Sequence, residues 1–268
     1  MNFASEEVAR YYDQNTKGFL VCGQGGHYGA IHRAVWAEGV RSRDQAFHYV
    51  HRLLLDQLSR VEGVRPRIID LGCGVGASLS YLLERSEAVG FGITNSAIQI
   101  ELANGRARDR TTFSLGDFCK KTLPTRIDLA YGIESFVHAT DAAAFFANVA
   151  ASLRPRGRLA LCDDFLTEEE TERVRDFKRG WKASSLMRPQ AIDAIAAAHR
   201  LELVADRDLT PYLELDRLRD IVIHAIISLA RVMRFHSERF MALAGGDALR
   251  DCLKGGLMSY RFRVWRKC

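Results

Sequence analysis

Short apolar runs alternate along the chain with stretches of helical periodicity. Arg67 to Leu71, Ala88 to Ile93, Thr112 to Leu115, Ile127 to Gly132 and Arg158 to Cys162 read as strands. A helical pattern opens at Leu79 and Tyr81, another runs from Ser96 through Leu102, and an Ala-rich one spans Asp141 to Leu153. Pro155 and Gly157 stand where a stop between helix and strand belongs. Such alternation predicts a parallel sheet with helices on both faces, an α/β fold. Leu201 to Leu209 and Met258 to Trp265 are two later strand candidates, the second with clean period-two alternation.

Two regions lie outside this rhythm. Residues 1–60 precede the first strand, and there Ser42 to Gln45 has the spacing of a capping box, followed by an apolar stripe at Ala46, Tyr49, Val50, Leu53 and Leu54. A helical insertion is expected near 213–245, within the 61–268 core. Its segment from Asp220 to Arg231 is apolar almost all round, which predicts burial, either as the wall of an apolar pocket or as a homo-oligomer interface.

Composition narrows the class. The chain has 268 residues, 47% of them hydrophobic, enough for a full core. Its formal charge of +5 comes without a Lys/Arg run interleaved with aromatics, so nucleic acid is not an expected partner. Six cysteines are scattered with no metal-ligand spacing, which predicts free thiols and a reducing compartment. The opening residues lack the order of a signal peptide, and the longest apolar run, Ile221 to Ala230, is too short to span a bilayer. A cytoplasmic protein without a membrane span is the expectation.

The candidate chemistry starts at Asp70-Leu71-Gly72-Cys73-Gly74-Val75-Gly76, a strand breaking into a glycine-rich turn and then a helix. A residue without Cβ lets a flat ligand lie against the main chain, so the turn predicts a nucleotide-like ligand. The spacing is not that of a dinucleotide loop, and the segment resembles the first motif of class I methyltransferases that use S-adenosylmethionine. That resemblance implies a Rossmann-like seven-stranded, mostly parallel sheet whose last strand is antiparallel. It also implies that Asp70, Gly72, Cys73, Gly74 and Gly76 hold the cofactor.

Three further loops carry the likeness. Gly92-Ile93-Thr94-Asn95-Ser96-Ala97-Ile98-Gln99 lacks the usual acidic residue and resembles a segment of sterol, tocopherol and cyclopropane-fatty-acid methyltransferases, which implies cofactor contacts from Thr94, Asn95 and Gln99. A plain turn with Ser96 as helix cap is the simpler reading of the same residues. Leu115-Gly116-Asp117-Phe118 resembles the adenine-contacting segment, implying Asp117 and Phe118. Glu134-Ser135-Phe136-Val137-His138 resembles the corresponding segment of sterol and isoprenoid C-methyltransferases, which implies catalytic roles for Glu134 and His138.

A carbon methylase has a use for Glu134, because an alkene that accepts a methyl cation equivalent leaves a carbocation that a carboxylate can stabilise and deprotonate. Aromatic faces assist such a cation, and Tyr11, Tyr12, Phe19, Trp36, Phe136 and Trp181 lie in segments expected to roof the site. Four of the eight histidines, His27, His32, His48 and His51, fall in the N-terminal segment with Lys17, Arg33, Arg41, Arg43 and Arg52. Arg binds phosphate in a fork and Lys as a point charge, so this segment is expected to hold a diphosphate, alone or with Mg2+ bound through it. The substrate contacts expected are therefore Tyr11, Tyr12, Lys17, His32, Arg33, Trp36, His48, Phe136 and Trp181. Together these features point to C-methylation of a prenyl diphosphate. The alternative is O- or N-methylation of a small metabolite with Glu134 or His138 as base, and a binding protein without turnover would leave the N-terminal cations unexplained.

Overall fold

The computed structural model of the protein describes residues 2–22, 28–29, 31–217, 227 and 238–268. His27 and, apart from the buried Ile227, the apolar run Ile221 to Ala230 lie outside them.

Seven strands form one sheet, β1 (Arg67–Leu71), β2 (Val89–Thr94), β3 (Thr111–Leu115), β4 (Ile127–Ile133), β5 (Leu153–Leu166), β6 (Leu201–Asp208) and β7 (Met258–Lys267), in the order β3-β2-β1-β4-β5-β7-β6. The pairs among β1 to β5 are parallel, whereas β7 runs antiparallel between β5 and β6. The strand order reverses its direction at β1 and β4, and loops leaving the carboxyl ends there diverge to open a crevice. Six of the seven β4 residues are buried, as a central strand covered on both faces requires.

Before the sheet come α1 (Ser5–Cys22), α2 (Arg43–Phe47) and α3 (Tyr49–Ser59). Ser42 caps α2 by accepting from the Gln45 N–H, while the Gln45 side chain accepts from the Arg41 N–H, so the box closes one residue earlier than its usual form. Ala46, Val50 and Leu54 of the predicted stripe are fully buried, with Tyr49 and Leu53 packed beside them. Between strands lie α4 (Ala77–Leu83), α5 (Ala97–Asn104) and α6 (Ala142–Ser152), then α7 (Glu172–Trp181), α8 (Pro189–Ala198) and α9 (Glu238–Lys254). Apolar side chains fill both faces of the sheet, one layer around Leu54, Leu79, Phe177, Leu249 and Phe262 and the other around Phe136, Phe146, Ile192 and Trp265.

One boundary differs from the sequence expectation. Pro155 and Gly157 do not separate α6 from the next strand, because β5 begins at Leu153, directly after the helix. The first residues of β5 pair loosely, with a register shift against β4 between Ile127 and Leu129, and such an irregular strand end tolerates a residue without an N–H.

Candidate active site

The loop after β1 is built around backbone that side chains would obstruct. Gly72 has φ +93°, and a Cβ there would lie 2.5 Å from that of Ser135. Gly74 has φ +52° and nothing within 4 Å of where a Cβ would stand, so its bare face is open for a ligand. A cavity opens over this loop. Asp70, Gly72, Cys73 and Gly74 form one side of it, Thr94, Asn95 and Gln99 a second, and Asp117 and Phe118 a third. Glu134 and His138 close it from β4, with Tyr12 and His32 above. Gly76 supports the turn from outside the cavity, its missing Cβ making room for the Phe113 ring.

The polar wall of this cavity is mostly satisfied from within. Thr94 donates to Gln99 Oε1 at 2.7 Å, and Gln99 Nε2 donates to Thr16 of α1 at 3.2 Å. Ser96 caps α5 as the simpler reading supposed, and its hydroxyl also donates to Asp13 of α1 at 2.5 Å. Asn95 donates to the carbonyl of Ser5. The helix α1 is thus fastened across the β2–α5 loop as a roof. Asp70 is buried with the Tyr131 hydroxyl on Oδ2, and burial, partly offset by that bond, pushes its pKa up to about 7. Asp117 spends Oδ1 on the Cys119 N–H, while its buried Oδ2 has no hydrogen-bond partner among the described residues and only a 3.9 Å ion pair with Lys120.

Glu134 sits at φ +52° just past β4, its N–H donating to the Cys162 carbonyl. Its Oε1 accepts three donors, the Arg33 N–H at 2.8 Å, Arg33 Nε at 3.1 Å and the Tyr260 hydroxyl at 2.9 Å. Among the described residues Oε2 takes no hydrogen bond. Burial alone would raise the Glu134 pKa, but the Arg33 charge and the Arg33 hydrogen bonds outweigh it and hold the carboxylate below its usual range. The other edge of the Arg33 guanidinium forks onto Asp164. Neighbouring Asp163 accepts from the Phe136, Val137 and Asp164 N–H groups and, through burial and the Asp164 charge, is pushed up to about 8.

His138 is buried beside this group. Its Nδ1 faces the Lys182 carbonyl at 3.4 Å, which can only accept, so the ring hydrogen belongs on Nδ1 and Nε2 is left as the acceptor of the Tyr12 hydroxyl at 2.8 Å. Burial brings the imidazole pKa down to about 4, so it is neutral at neutral pH. Tyr12 is raised well above its ordinary value by burial and by surrounding negative groups, which keeps its proton on oxygen.

Several expected substrate contacts belong elsewhere. Arg33 is 13% exposed and committed to two carboxylates, and Lys17 is exposed on α1. Phe136 packs into the core against Phe145 and Phe146, and Trp181 against Phe177 with its Nε1 donating to the Ala242 carbonyl of α9. Tyr11 is buried with its ring against Tyr12 and Phe19. Trp36 lies under the Arg43 guanidinium, and Arg43 pairs with Glu214. His48 stacks on Tyr81 and bonds His51, outside the cavity wall. Apart from the exposed Lys17, these positions are held by packing and ion pairing, and no Lys or Arg stands among the described residues of the cavity wall. Nor do the described residues hold a group of three metal-ligating side chains for Mg2+. Sequence reading missed Asp163, Asp164 and Tyr260, although two consecutive acids at the carboxyl end of an apolar strand were a visible signal.

A parallel sheet whose strand ends surround a glycine-lined cavity defines an S-adenosylmethionine-dependent methyltransferase fold. The methyltransferase domain family matches residues 68–157. The O-methyltransferase rstn1 of Aspergillus nomiae is 35% identical over 60% of this chain and 72% of its own length. The 27-O-demethylrifamycin SV methyltransferase of Amycolatopsis mediterranei is 30% identical over 56% of the chain and 59% of its own length. A geranyl diphosphate methyltransferase, solved with GPP and sinefungin, superposes with a TM-score of 0.77 at 19% identity, covering 98% of each chain. The chain belongs to the S-adenosylmethionine-dependent methyltransferases. Its residues fit that cofactor: the open face at Gly74 gives the close backbone approach, and Asp117 Oδ2, which takes no hydrogen bond among the described residues, is an acceptor suited to the adenine amine. Among the described residues no helix is long and apolar enough to cross a membrane.

Proposed function

We propose that this enzyme O-methylates a hydroxyl group of a small metabolite, with His138 as general base. The observation that carries the reading is the Tyr12 hydroxyl on His138 Nε2, an O–H group already seated on a neutral imidazole acceptor inside the cavity. When bound, S-adenosylmethionine supplies an electrophilic methyl group, and a hydroxyl that accepts it must lose its proton. His138 Nε2 takes that proton, the Lys182 carbonyl holds the ring's orientation, and the nearby Glu134 charge stabilises the imidazolium. Arg33 and Tyr260 keep Glu134 ionised and fixed, so it acts by its charge rather than as the proton acceptor.

The named O-methyltransferase relatives support the hydroxyl as nucleophile. The test is methyl transfer from labelled S-adenosylmethionine to phenols, alcohols, amines and geranyl diphosphate. His138→Gln should lower turnover of the hydroxyl compounds by about 10² or more, the range for a lost general base. Transfer confined to geranyl diphosphate would overturn the reading.

A further inference from the structure

His32 has one ring nitrogen whose purpose the fold does not supply. Its Nδ1 lies 3.2 Å from the Arg33 carbonyl, an acceptor, so the hydrogen is on Nδ1 and Nε2 carries a bare lone pair. That Nε2 is buried and has no hydrogen-bond partner among the described residues, although the residue is 7% exposed and forms part of the cavity wall. A buried acceptor left unmade costs free energy comparable to a lost hydrogen bond. The ring is nevertheless held rigidly, stacked on Phe47 with centroids 4.1 Å apart and set edge-on to His51 at 4.9 Å. His51 is itself fixed by His48 and by Ser78 on the cavity wall, each at 2.9 Å. Burial lowers the His32 pKa, so the ring stays an acceptor at neutral pH.

The backbone joins this acceptor to the catalytic group. The residue after His32 gives both its N–H and its Nε to Glu134 Oε1, while Oε2 is left without a described donor. Two oriented acceptors, a ring nitrogen and a carboxylate oxygen, therefore share the wall of the cavity that His138 also lines, and nothing described there donates to them.

We infer that the substrate carries at least two hydroxyl groups, one that is methylated at His138 and a second that donates to His32 Nε2. This rests on the O-methylation reading and narrows its substrate class to diols and polyols, whose second O–H supplies the missing donor. A site built to receive a hydroxyl discriminates strongly against the analogue without it, because the protein's own polar group is then left unpaired.

Matched probes separate the outcomes: catechol against phenol, and cis-1,2-cyclohexanediol against cyclohexanol, assayed with wild type, His32→Phe and His32→Gln. Wild type should prefer each diol by about ten- to a hundred-fold in kcat/KM. In His32→Phe, which keeps a ring for Phe47 to stack on, the preference should collapse through a rise in diol KM, and in His32→Gln the amide oxygen should restore part of it. A diol preference absent from wild type, or intact in His32→Phe, overturns this inference and leaves O-methylation standing. Methyl transfer to an amine or to geranyl diphosphate with none to any of the four hydroxyl probes overturns the O-methylation reading itself. Circular dichroism and S-adenosylhomocysteine affinity near wild type show that each variant is folded, and His32→Gln decides the matter if the Phe variant is not.

Discussion

Arg33 and Asp164 meet fork to fork, Nη1 2.9 Å from Oδ1 and Nη2 2.7 Å from Oδ2, across 131 residues of sequence. The same guanidinium holds Glu134 through Nε, so one cation neutralises two carboxylates in a largely buried setting. Arg33→Ala would leave both uncompensated, and removing one partner of a buried ion pair costs about 3–5 kcal/mol. Urea unfolding should report a loss of that order. Unchanged stability with a raised substrate KM would return Arg33 to substrate binding. Arg33→Lys should rescue little, because an ammonium cannot reproduce the fork.

The pH dependence of catalysis should carry the mark of His138. Burial brings its pKa to about 4, so the base is deprotonated through the range where an ordinary histidine titrates. The acid limb of kcat/KM is expected well below pH 6. The stability sign agrees: a histidine depressed in the folded state contributes stability that is full above its unfolded value, near 6.5, and is lost as pH falls through about 4. A limb at pH 6 to 7 that disappears in His138→Gln would show the imidazole titrating normally.

Asp70 runs the other way. Its pKa is raised to about 7, so its contribution is present below the unfolded value near 3.8 and is lost as pH rises through about 7. Asp70→Asn retains a neutral side chain at every pH and should gain stability relative to wild type between pH 6 and 8. Thermal melts of the two proteins across that range check the crossing, and parallel curves would place the Asp70 pKa outside it.

At Gly74 a valine would bring a branched side chain to φ +52° and into the open face above the loop. Gly74→Val should lower affinity for S-adenosylhomocysteine by at least about a hundred-fold, a side chain displacing the close backbone contact. Calorimetry on folded protein measures this, and wild-type affinity would move the cofactor away from the loop.

What sequence disclosed here was local. The glycine turn at Gly72 to Gly76, the cap at Ser42 and the alternation of β7 depend on residues within a few positions of one another, and each is legible as pattern. Arg33 shows the limit. A cation in a basic segment reads as an anion site, whereas its partners, 101 and 131 residues away, are chosen by the folded sheet. Phe136 and Trp181 mislead for the same reason, since aromatic residues look alike whether they roof a cavity or fill a core. The extension of β5 through Pro155 was hidden because breaker residues are read one segment at a time, while the loose pairing of this strand end against β4, which tolerates a residue without an N–H, appears only in the folded sheet.

In the proposed O-methylation, the bond from Tyr12 to His138 keeps the base occupied until a substrate hydroxyl takes it over. The imidazole's one acceptor nitrogen is corked by a residue of α1, and α1 is pinned close by, through Asp13 and Thr16, to the loop and helix that follow β2. An arriving hydroxyl therefore competes with the protein's own phenol for the same lone pair, and winning that contest loosens the roof in the act of engaging the base. Admission and activation are one event, and a stray water molecule, too small to replace the phenol's packing, has little with which to open it.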